Sequence, residues 1–174
     1  MKPYRYCPQC GGPLSSAEHG GFARLGCATP GCGYVHWDNP VPVVAAIVEH
    51  QGEIILARNK LWPMKFYGLI TGFLEKNDPS PAQAAVREVK EELNLDGSGA
   101  TFIGHYPFER MNQIIIAFHV PATGEIVLGE ELSEYKRIAP GSARYWPAGT
   151  GLALRDWLRL KGHDPQPMEM PKAG

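Results

Sequence analysis

Residues 43–49 read Val-Val-Ala-Ala-Ile-Val-Glu, and residues 53–58 bring a second apolar run after the polar pair Gln51-Gly52. Two β-branched runs separated by two turn-forming residues predict a hairpin. A further near-continuous apolar run, 113–120, suits a strand at the centre of a sheet, where both faces are covered. Strands are also expected over 68–74 and 101–108, with an edge strand and a loop in 124–134. Over 81–93 the period changes. Ala82, Ala85, Val86, Val89 and Leu93 fall on one stripe at about 100° per residue, which predicts a helix packed on the sheet. Ser80 is placed to cap it, Pro81 suits its first position and Gln83 completes a capping box. Asn94 is suited to the left-handed conformation that ends it. Residues 151–160 show the same helical spacing. The order lacks a regular βαβ repeat, so the expected class is α/β, a mixed β-sheet flanked by helices.

The first 36 residues are different. They hold all four cysteines, as Cys7-Pro-Gln-Cys10 and Cys27-Ala-Thr-Pro-Gly-Cys32. Two such pairs suit a closed tetrahedral zinc site with no position for water, which is a structural arrangement. Four reduced thiols or two disulfides are the alternatives. So short a segment buries too little apolar surface to fold alone, and the metal would supply the missing stability. The paired turns resemble a zinc ribbon. The expected organisation is therefore a ribbon over 1–36, a larger domain over 37–163 and a flexible tail over 164–174.

Charge narrows the function classes. Seventeen basic against eighteen acidic residues give a net charge of -1, which excludes a generally basic nucleic-acid coat. Within 1–36 the fixed positive charges are Lys2, Arg5 and Arg24, opposed by Glu18, so no nucleic acid partner is expected. No apolar run approaches the roughly 18 residues of a membrane span, and the N-terminus lacks a secretory core. A cytoplasmic protein is expected.

The chemistry concentrates on the helix. Glu88, Glu91 and Glu92 share an arc of roughly 100° beside its apolar stripe. Glu88 and Glu92 repel at i,i+4, and all three lie toward the wrong end of the helix dipole. A hard divalent cation reverses the sign of that cost, because Mg²⁺ takes carboxylate and phosphate oxygens together. A solvated acidic face, with Arg87 paired to Glu91, is the alternative.

Gly72 followed by Arg87-Glu88-Val89-Lys90-Glu91-Glu92 resembles the Nudix box, and with the ribbon the chain is similar to the zinc-ribbon branch of the Nudix hydrolases, which includes NADH pyrophosphatases. The resemblance implies a Nudix-type α/β/α sandwich. It also implies Mg²⁺- or Mn²⁺-dependent hydrolysis of a nucleoside diphosphate conjugate, with an NAD(H)-like dinucleotide as leading substrate and FAD, ADP-ribose or non-catalytic nucleotide sensing as alternatives. It further implies that Glu88, Glu91, Glu92 and the Thr71 carbonyl bind the catalytic metal, and that Arg87 orients the glutamates. Glu131 matches a later-loop glutamate that completes the site or acts as base; Glu88 and Glu91 are the other candidates for that role. The spacing from Gly72 to Arg87 exceeds the pattern by one residue, so the first box glutamate is replaced by Asp78 or Pro79. Asn94 replaces the box glycine. Of the segment that follows the box in NADH pyrophosphatases, only Pro107-Phe108 matches. Trp62, Phe66 and Tyr67 are candidates to stack on a base, and Arg58 to neutralise a diphosphate. The expected partners are a small-molecule nucleotide and a second copy of the chain in a homodimer.

Overall fold

A computed structural model describes residues 4–169. The chain divides into two compact units, Met1–Pro40 and Val41–Gly174.

The first unit is a three-stranded antiparallel sheet of β1 (Leu14–His19), β2 (Phe22–Cys27) and β3 (Val35–His36), in that order. Gly20 and Gly21 join β1 to β2 with φ of 62° and 81°. Both lie in the left-handed region that a two-residue hairpin turn of matching twist requires.

The second unit is built on a mixed sheet. Its strands are β4 (Val41–His50), β5 (Glu53–Asn59), β6 (Ile70–Phe73), β7 (Asp96–Gly97), β8 (Thr101–Phe108), β9 (Gln113–Thr123) and β10 (Leu132–Ile138). The order β10-β5-β4-β9-β7 is extended by β6 on β4 and β8 on β9. Only the central β4–β9 pair is parallel. The expected hairpin is β4–β5, and Gln51 and Gly52 turn it at φ 53° and 78°.

Alternation along the strands sends side chains to two cores. Val44, Ala46, Val48, Ile55, Ala57, Ile70, Phe118 and Val120 pack against Ala84, Ala85, Val89 and Leu93 of α1 (Pro81–Leu93). On the opposite face Ile47, Ile54, Leu56 and Leu69 pack against Trp146 and against Leu154, Trp157 and Leu158 of α2 (Thr150–Leu160). The result is an α/β/α sandwich, as the sequence suggests. The ends of α1 also fall where expected. The Ser80 hydroxyl accepts from the Gln83 N–H, and Asn94 closes the helix at φ 59°.

Three local expectations change. Residues 124–131 form a loop, and the edge strand begins only at Leu132, pairing with β5. Its sequence, Leu-Ser-Glu-Tyr-Lys-Arg-Ile, is mostly solvent-exposed and carries little apolar signal. The first unit runs to Pro40 rather than 36. The tail expected to be flexible is held at its start: the Tyr145 N–H donates to Gln166 O at 3.2 Å and Met168 N–H to Tyr145 O at 2.8 Å. Residues 170–174 of that tail lie outside the described residues. Among the described residues no helix is long and apolar enough to cross a membrane.

Candidate active site

Gly72, on β6, lies directly against α1. A Cβ there would stand 1.9 Å from the Glu88 carboxyl carbon, so only glycine leaves space for this carboxylate between helix and strand. Glu88 is 8% exposed. Burial raises its pKa and outweighs the neighbouring Arg87, which lowers it.

Arg87 is the hub of the acidic side of α1. It donates from Nε and Nη2 to the two Asp78 oxygens at 3.0 Å each, and from Nη1 to Glu88 at 2.7 Å and Glu91 at 2.8 Å. Nη2 also reaches the Phe73 carbonyl at 3.2 Å. A two-oxygen clamp of this kind fixes the guanidinium plane as well as its position. Asp78 is itself fixed by a tight turn, accepting from the Glu75 N–H at 2.7 Å while its own N–H donates to Glu75 O at 3.1 Å. Hydrogen bonding to Arg87, then to Glu75, holds its carboxyl below the ordinary range. Asp78 rather than Pro79 therefore takes the place of the missing box glutamate. The extra residue of the loop is absorbed before the helix.

The loop 124–131 carries Glu131 to the helix. Val127 N–H donates to Leu93 O at 3.1 Å and Gly129 N–H to Glu92 O at 2.9 Å, which satisfies carbonyls that α1 leaves unpaired at its C-terminus. A Cβ on Gly129 would meet the Glu91 carbonyl at 2.6 Å, so the loop backbone runs tight against the helix end. The outcome is an acidic cleft lined by Thr71, Glu92, Glu131, Asn59 and Trp62, with Ala57, Leu69, Ile70 and Leu132 beneath. Glu92 Oε2 is buried and has no hydrogen-bond partner. Burial raises the Glu92 pKa, and the Glu131, Glu88 and Glu91 charges add to it. Glu91 is the most open of the helix trio, with its side chain 55% exposed.

Of the expected substrate residues, Trp62 and Phe66 touch each other, with ring centroids 5.4 Å apart, but only Trp62 reaches the cleft. Phe66 instead packs edge-on against Trp146 at 5.2 Å, in the core on the α2 face. Tyr67 belongs to that same core, and Lys136 Nζ sits 4.1 Å from its ring centroid. Its hydroxyl pairs with Glu134, which raises its pKa. Arg58 donates to Glu134 at 3.0 Å. One residue along a strand reverses the face: Ala57 and Asn59 line the cleft, and Arg58 between them points away from it. Phe66, Tyr67 and Arg58 are thus held by packing and ion pairing outside the cleft lining. Sequence reasoning missed Asn59, which ends β5 as a polar residue after an apolar run.

In the first unit the four sulfurs of Cys7, Cys10, Cys27 and Cys32 lie within 4.8 Å of one another, the one such ligand group among the described residues. Cys7 and Cys32 are 3.7 Å apart, and Cys10 and Cys27 3.5 Å. A tetrahedron with Zn–S bonds of about 2.3 Å has edges of about 3.8 Å. Gln9 and Thr29 amides each donate to a sulfur at 3.4 Å, the outer contacts expected of a metal-thiolate turn. All four cysteines are free rather than bridged. The Gly12 amide, with Thr29, lowers the Cys10 pKa. For Cys32 the Tyr34 amide also lowers it, but the Cys10 sulfur and burial prevail and raise it.

A profile of the NUDIX domain matches residues 38–159. The NAD-capped RNA hydrolase NudC of Vibrio atlanticus (strain LGP32) is 30% identical over 114 residues, 66% of this chain and 40% of that protein. Its namesake from Stutzerimonas stutzeri (strain A1501) is 29% identical over 128 residues, 73% of this chain and 45% of its own. The chain thus spans less than half the length of these relatives. A NUDIX hydrolase from Nitrosomonas europaea superposes with a TM-score of 0.76 at 22% identity, covering 95% of this chain and 97% of that one. An ADP-ribose pyrophosphatase from Streptococcus suis does so at 0.58 and 16%, covering 74% and 96%; both share the fold. With the Gly72 cradle, the capped α1 helix and its Arg87-ordered glutamates, this chain belongs to the Nudix family, in a form that carries an N-terminal unit with four clustered cysteines.

Proposed function

We propose that the chain is a divalent-cation-dependent hydrolase that cleaves the diphosphate of a nucleoside diphosphate conjugate, with an NAD(H)-like dinucleotide as leading substrate. The observation that carries this is Glu92, one of whose carboxylate oxygens is buried without a hydrogen-bond partner, sharing a cleft with Glu131 close to Glu88 and Glu91. Such an arrangement opposes folding unless a cation and an anionic ligand complete it. The relatives named for hydrolysis of NAD-capped RNA support the dinucleotide class.

The donors suit Mg²⁺ or Mn²⁺: hard carboxylate oxygens of Glu88, Glu91 and Glu92, with the Thr71 carbonyl lining the same cleft. Bound there, such a cation supplies Lewis acidity toward the diphosphate oxygens and toward water. Arg87 holds Glu88 and Glu91 in register and does no chemistry itself. Glu131, which lines the cleft and accepts from Asn59 at 3.3 Å, would take the proton of the attacking water; Glu88 and Glu91 are the other bases open to the reaction. Trp62 offers an aromatic wall for the group beyond the diphosphate. In the first unit the sulfur quartet suits structural Zn²⁺, and its free thiols fit a reducing compartment such as the cytoplasm. The edge strand β8, paired on one side only and with Phe102 51% exposed, supports a homodimer.

NADH, NAD⁺, FAD, ADP-ribose and an NAD-capped oligoribonucleotide, each assayed with Mg²⁺ and with Mn²⁺, test the reading. Turnover in ¹⁸O water should label one phosphate of a released mononucleotide, or of the capped strand. Tight calorimetric binding of a conjugate with no turnover under either metal overturns the enzyme and leaves a nucleotide sensor. Preference for FAD or ADP-ribose over NAD(H) keeps the chemistry and changes the substrate.

A further inference from the structure

Asn59, the last residue of β5, touches both loops that wall the cleft. Its side-chain amide donates from Nδ2 to Glu131 Oε2 at 3.3 Å. Its Oδ1 accepts from the Leu61 N–H at 2.8 Å, and its carbonyl accepts from the Trp62 N–H at 3.2 Å. The next residue continues the tie: Lys60 N–H donates to Glu131 O at 2.8 Å, and Lys60 Nζ reaches the Glu130 carbonyl. One amide side chain thus does two things. Its oxygen folds the turn that presents Trp62, and its nitrogen aims the Glu131 carboxylate into the cleft. An Asn can do both at once because it carries a donor and an acceptor on one short, rigid stem.

We propose that Asn59 is a positioning residue for the hydrolase reaction, coupling the Glu131 carboxylate to the Trp62 wall so that base and substrate-binding surface are held as one unit. The inference rests on the hydrolase reading above, and it predicts separable defects. Asn59→Asp keeps an acceptor for the Leu61 N–H but sets a carboxylate against Glu131. The Trp62 turn survives and the base is displaced. Asn59→Ala removes both contacts.

The test is a kinetic and thermal cycle on the full chain. With the substrate and metal found in the panel above, Asn59→Asp should lower kcat about tenfold or more while KM stays within about twofold, in line with the loss of a misplaced acid-base group. Asn59→Ala should lower kcat and raise KM together. In a Glu131→Gln background, Asn59→Asp should cost no further kcat. Substrate-free thermal denaturation at neutral pH, without divalent cation, should show Asn59→Asp lowering Tm and Glu131→Gln restoring it, since the two carboxylates face each other only if the contact exists. Unchanged kcat in Asn59→Asp, or an equal fall in both backgrounds, overturns the proposal. So does a Tm loss that Glu131→Gln fails to restore. A wild-type chain without turnover overturns the hydrolase reading instead; the thermal cycle tells the two failures apart because it needs no substrate.

Discussion

Cys7, Cys10, Cys27 and Cys32 sit in a closed set, each sulfur within 4.8 Å of the others and backbone amides turned toward them. The carboxylates along α1 are arranged the other way. Arg87 draws Glu88 and Glu91 toward Asp78, while half-buried Glu92 shares the cleft with Glu131 and keeps one buried oxygen without a hydrogen-bond partner. Both sets concentrate anionic ligands. In the first unit the surrounding chain is small for its own sheet, so a metal bound there would complete the fold. In the second unit the sheet has two cores and holds itself, so it can tolerate charges that work against it. A closed set leaves no room for a substrate oxygen, whereas an open set offers one. The difference between structural and chemical metal sites is thus carried by how many ligands the local backbone satisfies unaided.

The largest effect expected from breaking this contrast lies in the ribbon. Cys10→Ser, or exhaustive chelation, should unfold the first unit, because a metal-built fold of this size has no other sufficient core. Elemental analysis should find about one zinc per chain in the wild type by the four-ligand argument and far less in the variant, with β1–β3 amide protection lost. The near-ultraviolet signal of Trp146 and Trp157 should persist. Zinc-free protein with two disulfides by mass spectrometry would remove the contrast altogether.

Gly72→Ala attacks the open set through its backbone. The added methyl meets the Glu88 carboxylate, and overpacking of this kind costs roughly 1–3 kcal/mol. Loss of stability should come with loss of most turnover, since Glu88 must leave its place. Full activity in a folded Gly72→Ala chain would show that Glu88 has no role in the cleft.

Smaller, and opposite in sign, is the effect of Glu92→Gln. Removing this charge should abolish most turnover yet raise stability in divalent-free buffer by about 0.5 kcal/mol, the scale of an i,i+4 repulsion relieved. Burial raises the folded-state pKa of Glu92, so folding binds its proton more tightly than the unfolded chain does. The penalty is complete above the folded pKa. It fades as pH falls through that value and vanishes below the unfolded one. Denaturation of wild type and variant from neutral pH to pH 4 should therefore show the Gln advantage shrinking with acid; an advantage that grows with acid would break the argument.

Much of this organisation is legible along the chain because it is local. The capped helix from Pro81 to Leu93, its left-handed stop at Asn94 and the hairpin at Gln51-Gly52 follow from turn chemistry and period, and the structure has them where the sequence puts them. The cysteine spacing likewise confines the first ligand set to short loops. Edge strand β10 was not legible, because a strand that buries little has no apolar alternation to read.

What the sequence determined by itself is the set of chemical groups and their local geometry: three glutamates on one helical arc, four thiols in two turns, and the Nudix order that joins Gly72 to Arg87. What only the tertiary structure decided is which distant residues share a face. Strand alternation assigned Asn59 to the acidic cleft and Arg58 to the opposite face, paired with Glu134, a choice one residue wide that residue type cannot foretell. Loop anchoring on the open carbonyls of α1 brought Glu131 beside Glu92. Phe66 packs on Trp146 outside the cleft lining, while Trp62 against it lines the cleft. Helical spacing and metal-ligand spacing act over a few bonds, so they survive in sequence. Face, register and loop docking depend on the sum of contacts across the sheet, and that sum exists only in the folded chain.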